Sequence, residues 1–345
     1  MSFEVRDLVK SYGDKVVVDH LNLRMDQPGV YALLGTNGAG KTTSIRMILG
    51  MLQRDSGEVF YNGKEMDPKT MNIGYLAEER GLYPKYSLID QLLYFARLKG
   101  VSKADAMKRI KHWSSRLELD EYLFPPKNAK GRAPKPKLAD QLSKGNQQKI
   151  QLMAALISDP EFLILDEPMS GLDPVNTDLF KEVIREEIAK NKYVIMSSHQ
   201  MPTVEEFCTD ITILNHGKTV LQGNLDEIKK SYGRINLFVK CETVGIMGDK
   251  QESELEQLIA EEGLTVIEKL PSEYHLRVTG EEQAMAFLRT LIDKNITVIR
   301  FELKEPSLHE IFVEKVGGYL PTAEEAAAGE AAEIVREAGV TNEKE

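Results

Sequence analysis

Gly35-Thr36-Asn37-Gly38-Ala39-Gly40-Lys41-Thr42 is the stretch on which the fold turns. It fits G-x-x-x-x-G-K-[ST] at every fixed position, and its flanks fit as well. Val30-Tyr31-Ala32-Leu33-Leu34, just before it, is a compact apolar run that suits a buried parallel strand. Thr42 to Met51, just after it, carries Ile45, Met47, Ile48 and Leu49 at helical spacing. The chemistry dictates the residue types. Glycines let backbone N–H groups turn inward around phosphate oxygens, an anion nest at the positive end of the following helix. Lys41 supplies a point charge to the outer phosphates, the Thr42 hydroxyl can ligate Mg²⁺, and Thr43 offers a second hydroxyl.

Two further apolar runs end in chemistry. Phe162-Leu163-Ile164-Leu165 is followed by Asp166-Glu167, and a buried strand delivers such acids to the edge of an open α/β sheet where ligands bind. Asp166 is suited to holding Mg²⁺ through water, and Glu167 to polarising an attacking water as general base. Tyr193-Val194-Ile195-Met196 leads into Ser197-Ser198-His199. His199 on that strand end falls near a γ-phosphate, where it would stabilise the transferring group and orient Glu167. A helical stretch at Asn176 to Lys190 separates the two strands, and this rhythm implies a parallel sheet covered by helices, an α/β fold.

The remaining segments fill in around this centre. Phe3-Glu4-Val5-Arg6 and Lys15-Val16-Val17-Val18 alternate as strands with a turn at Tyr12-Gly13-Asp14, and Gly57 to Tyr75 reads as short strands and turns. Helical periodicity dominates Leu88 to Ile157, interrupted by the proline-rich, basic stretch Pro125 to Lys137, which reads as a loop. After Gly233 the order is strand, helix, strand, strand, helix, strand, the split βαββαβ arrangement of ferredoxin-like domains, with a short helix through Ser307 to Glu314. Residues 1–230 and 235–317 are therefore expected as two domains, and 318–345 as an acidic tail with seven Glu against Arg336 and Lys344. A net charge of −10 argues against nucleic acid as the main partner. Cys208 and Cys241 form no disulfide or metal pattern, which points to a reducing compartment. No run of about eighteen apolar residues is present, so no bilayer-spanning helix is expected.

Leu142-Ser143-Lys144-Gly145-Asn146-Gln147-Gln148-Lys149, placed just before the Asp166 strand, resembles the signature of the ABC ATPase family, Leu-Ser-Gly-Gly-Gln. The resemblance implies a RecA-like core with antiparallel β and helical subdomains. It implies ATP and Mg²⁺ as ligands, with Ser143, Gly145, Asn146 and Gln147 of one copy capping the ATP bound by the other. By the same resemblance Tyr12 would stack on adenine, and Ser170-Gly171-Leu172-Asp173 is similar to the loop that follows the catalytic glutamate. Gly74-Tyr75-Leu76-Ala77-Glu78-Glu79 occupies the place of the glutamine loop, with Glu78 where glutamine is usual, still able to ligate the metal. Lys144 and Asn146 depart from the signature but leave Ser143 and Gly145 in place.

The C-terminal segment, with Glu305 to Phe312, is similar to the extension of bacterial sodium-efflux and drug-export ATPase subunits. The expected function is thus ATP hydrolysis that powers a separate polytopic membrane subunit. It would run through dimerisation of this chain, or pairing with a paralogous ATPase subunit, at the cytoplasmic face of the membrane. A soluble ATPase acting on ribosomes or DNA is the competing reading, and a ligand-sensing C-terminal unit a third. Cargo stays open among sodium, drugs, peptides and lipids.

Overall fold

The computed structural model describes residues 2–78, 81–126, 135–242, 248–270 and 273–317. The acidic tail, Glu79 and the centre of the proline-rich stretch lie outside these described residues. β1 (Phe3–Tyr12) and β2 (Lys15–Met25) pair antiparallel across the turn at Gly13. They fall within residues 1 to about 30, which the sequence reads as alternating in strand fashion, and contain the Phe3 to Arg6 and Lys15 to Val18 stretches. Register shifts between Val5 and Ser11 break the strict alternation while the pairing continues. β3 (Gly29–Gly35) is buried at every position, as an apolar run is when both faces of a parallel sheet are covered. α1 (Lys41–Ile48) starts inside the phosphate loop, and β4 (Ser56–Tyr61), β5 (Lys64–Glu65) and β6 (Ile73–Leu76) follow.

The helical segment breaks into α2 (Leu88–Leu98), α3 (Lys103–Arg116), the single turn α4 (Asp120–Leu123) and α5 (Lys144–Leu156). Ser87, Ser102 and Ser143 cap α2, α3 and α5, each hydroxyl accepting from the backbone N–H three residues on. β7 (Phe162–Asp166), α6 (Pro174–Ala189), β8 (Tyr193–Ser198), α7 (Met201–Phe207), β9 (Asp210–Asn215) and β10 (Lys218–Asn224) complete the first unit. Its ten strands lie in the order β5-β4-β1-β2-β10-β9-β3-β8-β7-β6. The run from β9 to β6 is parallel and the run from β5 to β2 is antiparallel. One apolar core joins the halves: Phe3 of β1 lies 4.7 Å from Phe162 of β7 between ring centroids, and Phe162 stacks on Tyr193 of β8. Among the described residues, no helix is long and apolar enough to cross a membrane.

The chain divides into two compact units, one ending at Leu225 and one beginning at Asp226. α8 (Leu225–Tyr232) begins at the last residue of the first unit and continues into the second. Then come β11 (Asn236–Cys241), α9 (Gly248–Glu261), β12 (Thr265–Leu270), β13 (Glu273–Arg277), α10 (Glu281–Asp293), β14 (Val298–Lys304) and α11 (Leu308–Val316). The βαββαβ order expected from the sequence is present, and the sheet runs β12-β13-β11-β14 with every neighbour antiparallel. Leu237, Val239, Leu276, Phe287 and Leu291 form its own core, so this unit buries apolar surface independently of the first. Phe287 is fully buried, and Phe287→Ala should cost this unit about 3–5 kcal/mol. Hydrogen exchange should show the loss as faster exchange at β11 and β13, with β7 and β8 keeping their protection. Equal loosening of both units would contradict separate cores.

Candidate active site

Parallel register decides what meets at the top of the sheet. β8 lies between β3 and β7, with Leu34 opposite Ser198 and Asp166 opposite Ser197. The chain therefore leaves all three strands at one level, and Gly35, Glu167 and His199 start their loops side by side. Ligands gather at this edge of an open parallel sheet.

The phosphate loop is held from behind. Gly40, the residue before α1, has φ +108°, and a Cβ there would lie 2.7 Å from the Val17 carbonyl oxygen. Only glycine fits, because both the left-handed backbone and the close approach exclude a side chain. The Gly217 N–H donates to the Ala39 carbonyl at 3.1 Å, and the Asp19 N–H donates to the Gly217 carbonyl at 2.9 Å. The β9–β10 turn thus clamps the loop against β2. Asn37 to Thr43 line a cleft of about 400 Å³, together with Lys15, Val17, Glu78 and Glu167. The remaining loop residues, Gly35 and Thr36, give their carbonyls to Lys41 Nζ at 2.7 and 3.4 Å.

The charged groups interlock. Glu167 is buried, with Oε1 3.5 Å from Lys41 Nζ and Oε2 2.9 Å from His199 Nδ1; the His199 N–H also donates to Oε2 at 3.3 Å. Its backbone has φ +47°, a left-handed conformation that a non-glycine residue adopts only when its surroundings impose it. Burial pushes the Glu167 carboxyl up, but the His199 hydrogen bond, with the charges of His199 and Lys41, leaves it below the ordinary glutamate range. Glu167 is therefore ionised at neutral pH, as a proton acceptor must be.

Asp166 behaves differently. Burial pushes its carboxyl above the usual aspartate range, against hydrogen bonds from Ser197 and Thr42 that pull it down. Ser197 Oγ donates to Asp166 Oδ1 at 2.5 Å and accepts from the Glu167 N–H at 2.9 Å, while Thr42 Oγ1 donates to the same Oδ1 at 3.3 Å. Asp166 Oδ2 is buried with no hydrogen-bond partner. Burial first, then the charges of Asp166 and Glu167, raise the Glu78 carboxyl too. The oxygens of Thr42, Asp166 and Glu78 form a hard donor set that fits Mg²⁺, and the unpaired Oδ2 is the acceptor such an ion or its water would satisfy.

The other candidates lie elsewhere. Tyr12 ends β1, paired with Lys15 of the cleft rim; its ring is 54 % exposed and carries Lys10 Nζ 5.4 Å from its centroid. Ser143, Gly145, Asn146 and Gln147 open α5 and none of them lines the cleft. Ser143 is exposed, and its hydroxyl accepts from the Asn146 N–H at 3.2 Å. Gln147 is turned inward: it is buried, and Nε2 donates to the Leu142 carbonyl at 3.0 Å, so its amide serves this chain's own loop. Sequence reading missed Ser197, Lys15, Val17 and Gly217. For Gly217 a signal existed, since Asn215-His216-Gly217 has the composition of a tight turn.

Comparison with known proteins agrees with this geometry. Residues 18–170 match the ABC transporter family model, and residues 223–316 match the C-terminal domain of DrrA1-3-like ATP-binding proteins. The chain is 41 % identical over 311 residues to the ABC transporter ATP-binding protein YhaQ of Bacillus subtilis (strain 168), covering 90 % of this chain and 97 % of that one. It is 30 % identical to the bacitracin transport ATP-binding protein BcrA of Bacillus licheniformis, covering 90 % of this chain and 96 % of that one. It is equally 30 % identical to the Nod factor export ATP-binding protein I of Rhizobium etli, with coverages of 92 % and 93 %. A solved ATP-binding subunit of an ABC transporter superposes with a TM-score of 0.59 at 28 % identity, covering 67 % of this chain and 93 % of that one. The phosphate loop, the acid-ended β7 and the separate C-terminal unit thus sit in a chain that belongs to the ATP-binding subunits of ABC transporters.

Proposed function

We propose that this chain hydrolyses ATP between two copies of itself at the cytoplasmic face of a membrane, and that the resulting closure drives a separate polytopic export subunit. The observation that carries the reading is the meeting of Lys41, Asp166, Glu167 and His199 at one sheet edge, beside the cleft that the glycine-rich loop lines. Export is supported by the 30 % identity to proteins named for bacitracin transport and Nod factor export. A partner copy is supported by the position of Ser143, exposed at the start of α5, where the helix end favours an anion but this chain's own cleft is not reached.

The residues divide the work. Backbone N–H groups of Gly38 and of Gly40 to Thr42 bind the phosphates, while the Ala39 N–H donates to the Thr36 carbonyl at 3.1 Å, and Lys41 Nζ offsets the phosphate charge. Glu167 Oε2 accepts the proton of the water that attacks the γ-phosphorus. His199 fixes that carboxylate through Nδ1. Mg²⁺, when bound by Thr42, Asp166 and Glu78, would draw charge from the β- and γ-phosphate oxygens. Adenine would rest against Tyr12, whose exposed ring is available for stacking.

Glu167→Gln should lower ATP turnover by about 10²–10⁴-fold while ATP binding survives. That blocked protein should run as a dimer with Mg-ATP in light scattering; a monomer would count against the sandwich. Composite sites also predict complementation. Lys41→Ala and Ser143→Arg chains, each inactive alone, should regain ATPase activity when mixed, because the mixed dimer keeps one intact site. If the mixture stays as inactive as its parts, the site is not shared.

A further inference from the structure

Among the described residues, the second unit has an unfinished border. β14 ends the four-stranded sheet and pairs with β11 alone, so its outer row of backbone N–H and C=O groups faces no strand. α10 lies against β14 and has two apolar flanks. Ala284, Phe287 and Leu291 face the core. Met285, Leu288 and Ile292 recur at helical spacing on a separate flank, where Met285 is 47 % and Ile292 60 % exposed. That flank points away from α9. On the opposite one, Gln283 Nε2 and Thr290 Oγ1 donate to the carbonyl and carboxylate of Glu262, just past α9, at 2.9 and 2.6 Å. Ile299, the second residue of β14, is exposed too.

A bare edge does not name its occupant, but the charges along it do. Arg300, Glu302 and Lys304 alternate with Phe301 and Leu303, which pack against the unit's core. Let two copies pair their β14 strands antiparallel about a two-fold axis at Phe301. Arg300 of each copy then faces Glu302 of the other, and both contacts are attractive. Moving the axis by one residue sets Arg300 against Arg300 or Glu302 against Glu302, which is repulsive. Within one chain Glu302 is already bonded by Arg300 and Lys304, and such exposed pairs contribute little, so the charges select the register rather than supply the adhesion. Adhesion comes from the strand ladder and the apolar flank of α10. The spacing suits both. Strands pair about 4.8 Å apart, so helices lying over the β11–β14 border of each copy come to roughly 10 Å, the distance at which helices pack.

We propose that two copies of this chain join through β14 and α10 of their second units, merging two four-stranded sheets into one, and that this joint needs no nucleotide. It is separate from the ATP sandwich of the first unit, and it holds the two copies together when that sandwich opens.

Sedimentation velocity of the full-length protein, with chelator and without nucleotide, tests the joint apart from the ATPase reading. The wild type should sediment as a dimer at micromolar concentration. Arg300→Glu, which opposes two glutamates twice, should raise the dimer dissociation constant by about tenfold or more. The double swap Arg300→Glu with Glu302→Arg restores opposite charges and should restore the dimer. Ile292→Glu, which carries a charge into the helix contact, should dissociate it by a similar factor, about tenfold or more. Arg300 and Ile292 are exposed, so unchanged melting curves are expected and check the fold. A nucleotide-free wild type that is monomeric overturns the proposal, as does a dimer indifferent to Arg300→Glu and Ile292→Glu. A monomer whose co-purifying membrane subunit is lost in Ile292→Glu assigns the patch to that subunit and equally overturns it.

Discussion

Everything at the sheet edge depends on the parallel ladder that sets Leu34 against Ser198 and Asp166 against Ser197. The three strands are buried on both faces, so a slip in register would carry apolar side chains out of the core as well as displacing the loops. Core packing and site geometry are therefore one constraint. The aromatic contacts of Phe162 with Phe3 and Tyr193 fix the far ends of the same strands.

The site stores charge in a pattern that packing alone would not produce. Glu167 is stretched between an ammonium and an imidazole, on a backbone conformation that L-residues avoid. Asp166, its neighbour, is held by two hydroxyls. Two adjacent carboxylates are thereby pushed in opposite directions, one below its ordinary range and one above it. Different environments for like groups are how a site assigns different tasks to them.

The phosphate loop, Asp166, Glu167 and His199 were legible because each is a fixed residue type on a recognisable local element. Gly40 could be read from spacing since no other residue fits beneath Val17. Ser197 could not: a serine at the end of an apolar strand looks like any other, and its bonds to Asp166 and the Glu167 N–H arise only from the β7–β8 register. β9 and β10 went unread because Ile211 to Leu214 is a short run with no motif attached, though its turn clamps the loop. Gln147 shows the opposite failing. A residue type carried over by resemblance suggested contact with a partner's ATP, while burial and the Leu142 carbonyl claim its amide for this chain. The C-terminal unit was readable as an order of elements, because β11 alternates from Leu237 to Cys241 and α10 buries Ala284, Phe287 and Leu291 at helical spacing.

The claim at the centre is that Lys41 Nζ, now spanning the Gly35 carbonyl and Glu167, is the group that holds the outer phosphates. Fluorescence anisotropy of a labelled ATP analogue with Mg²⁺ tests it directly on wild type and Lys41→Ala. Loss of one charge-assisted contact should weaken binding by about ten- to a hundredfold. Equal affinities for the two proteins would contradict the account.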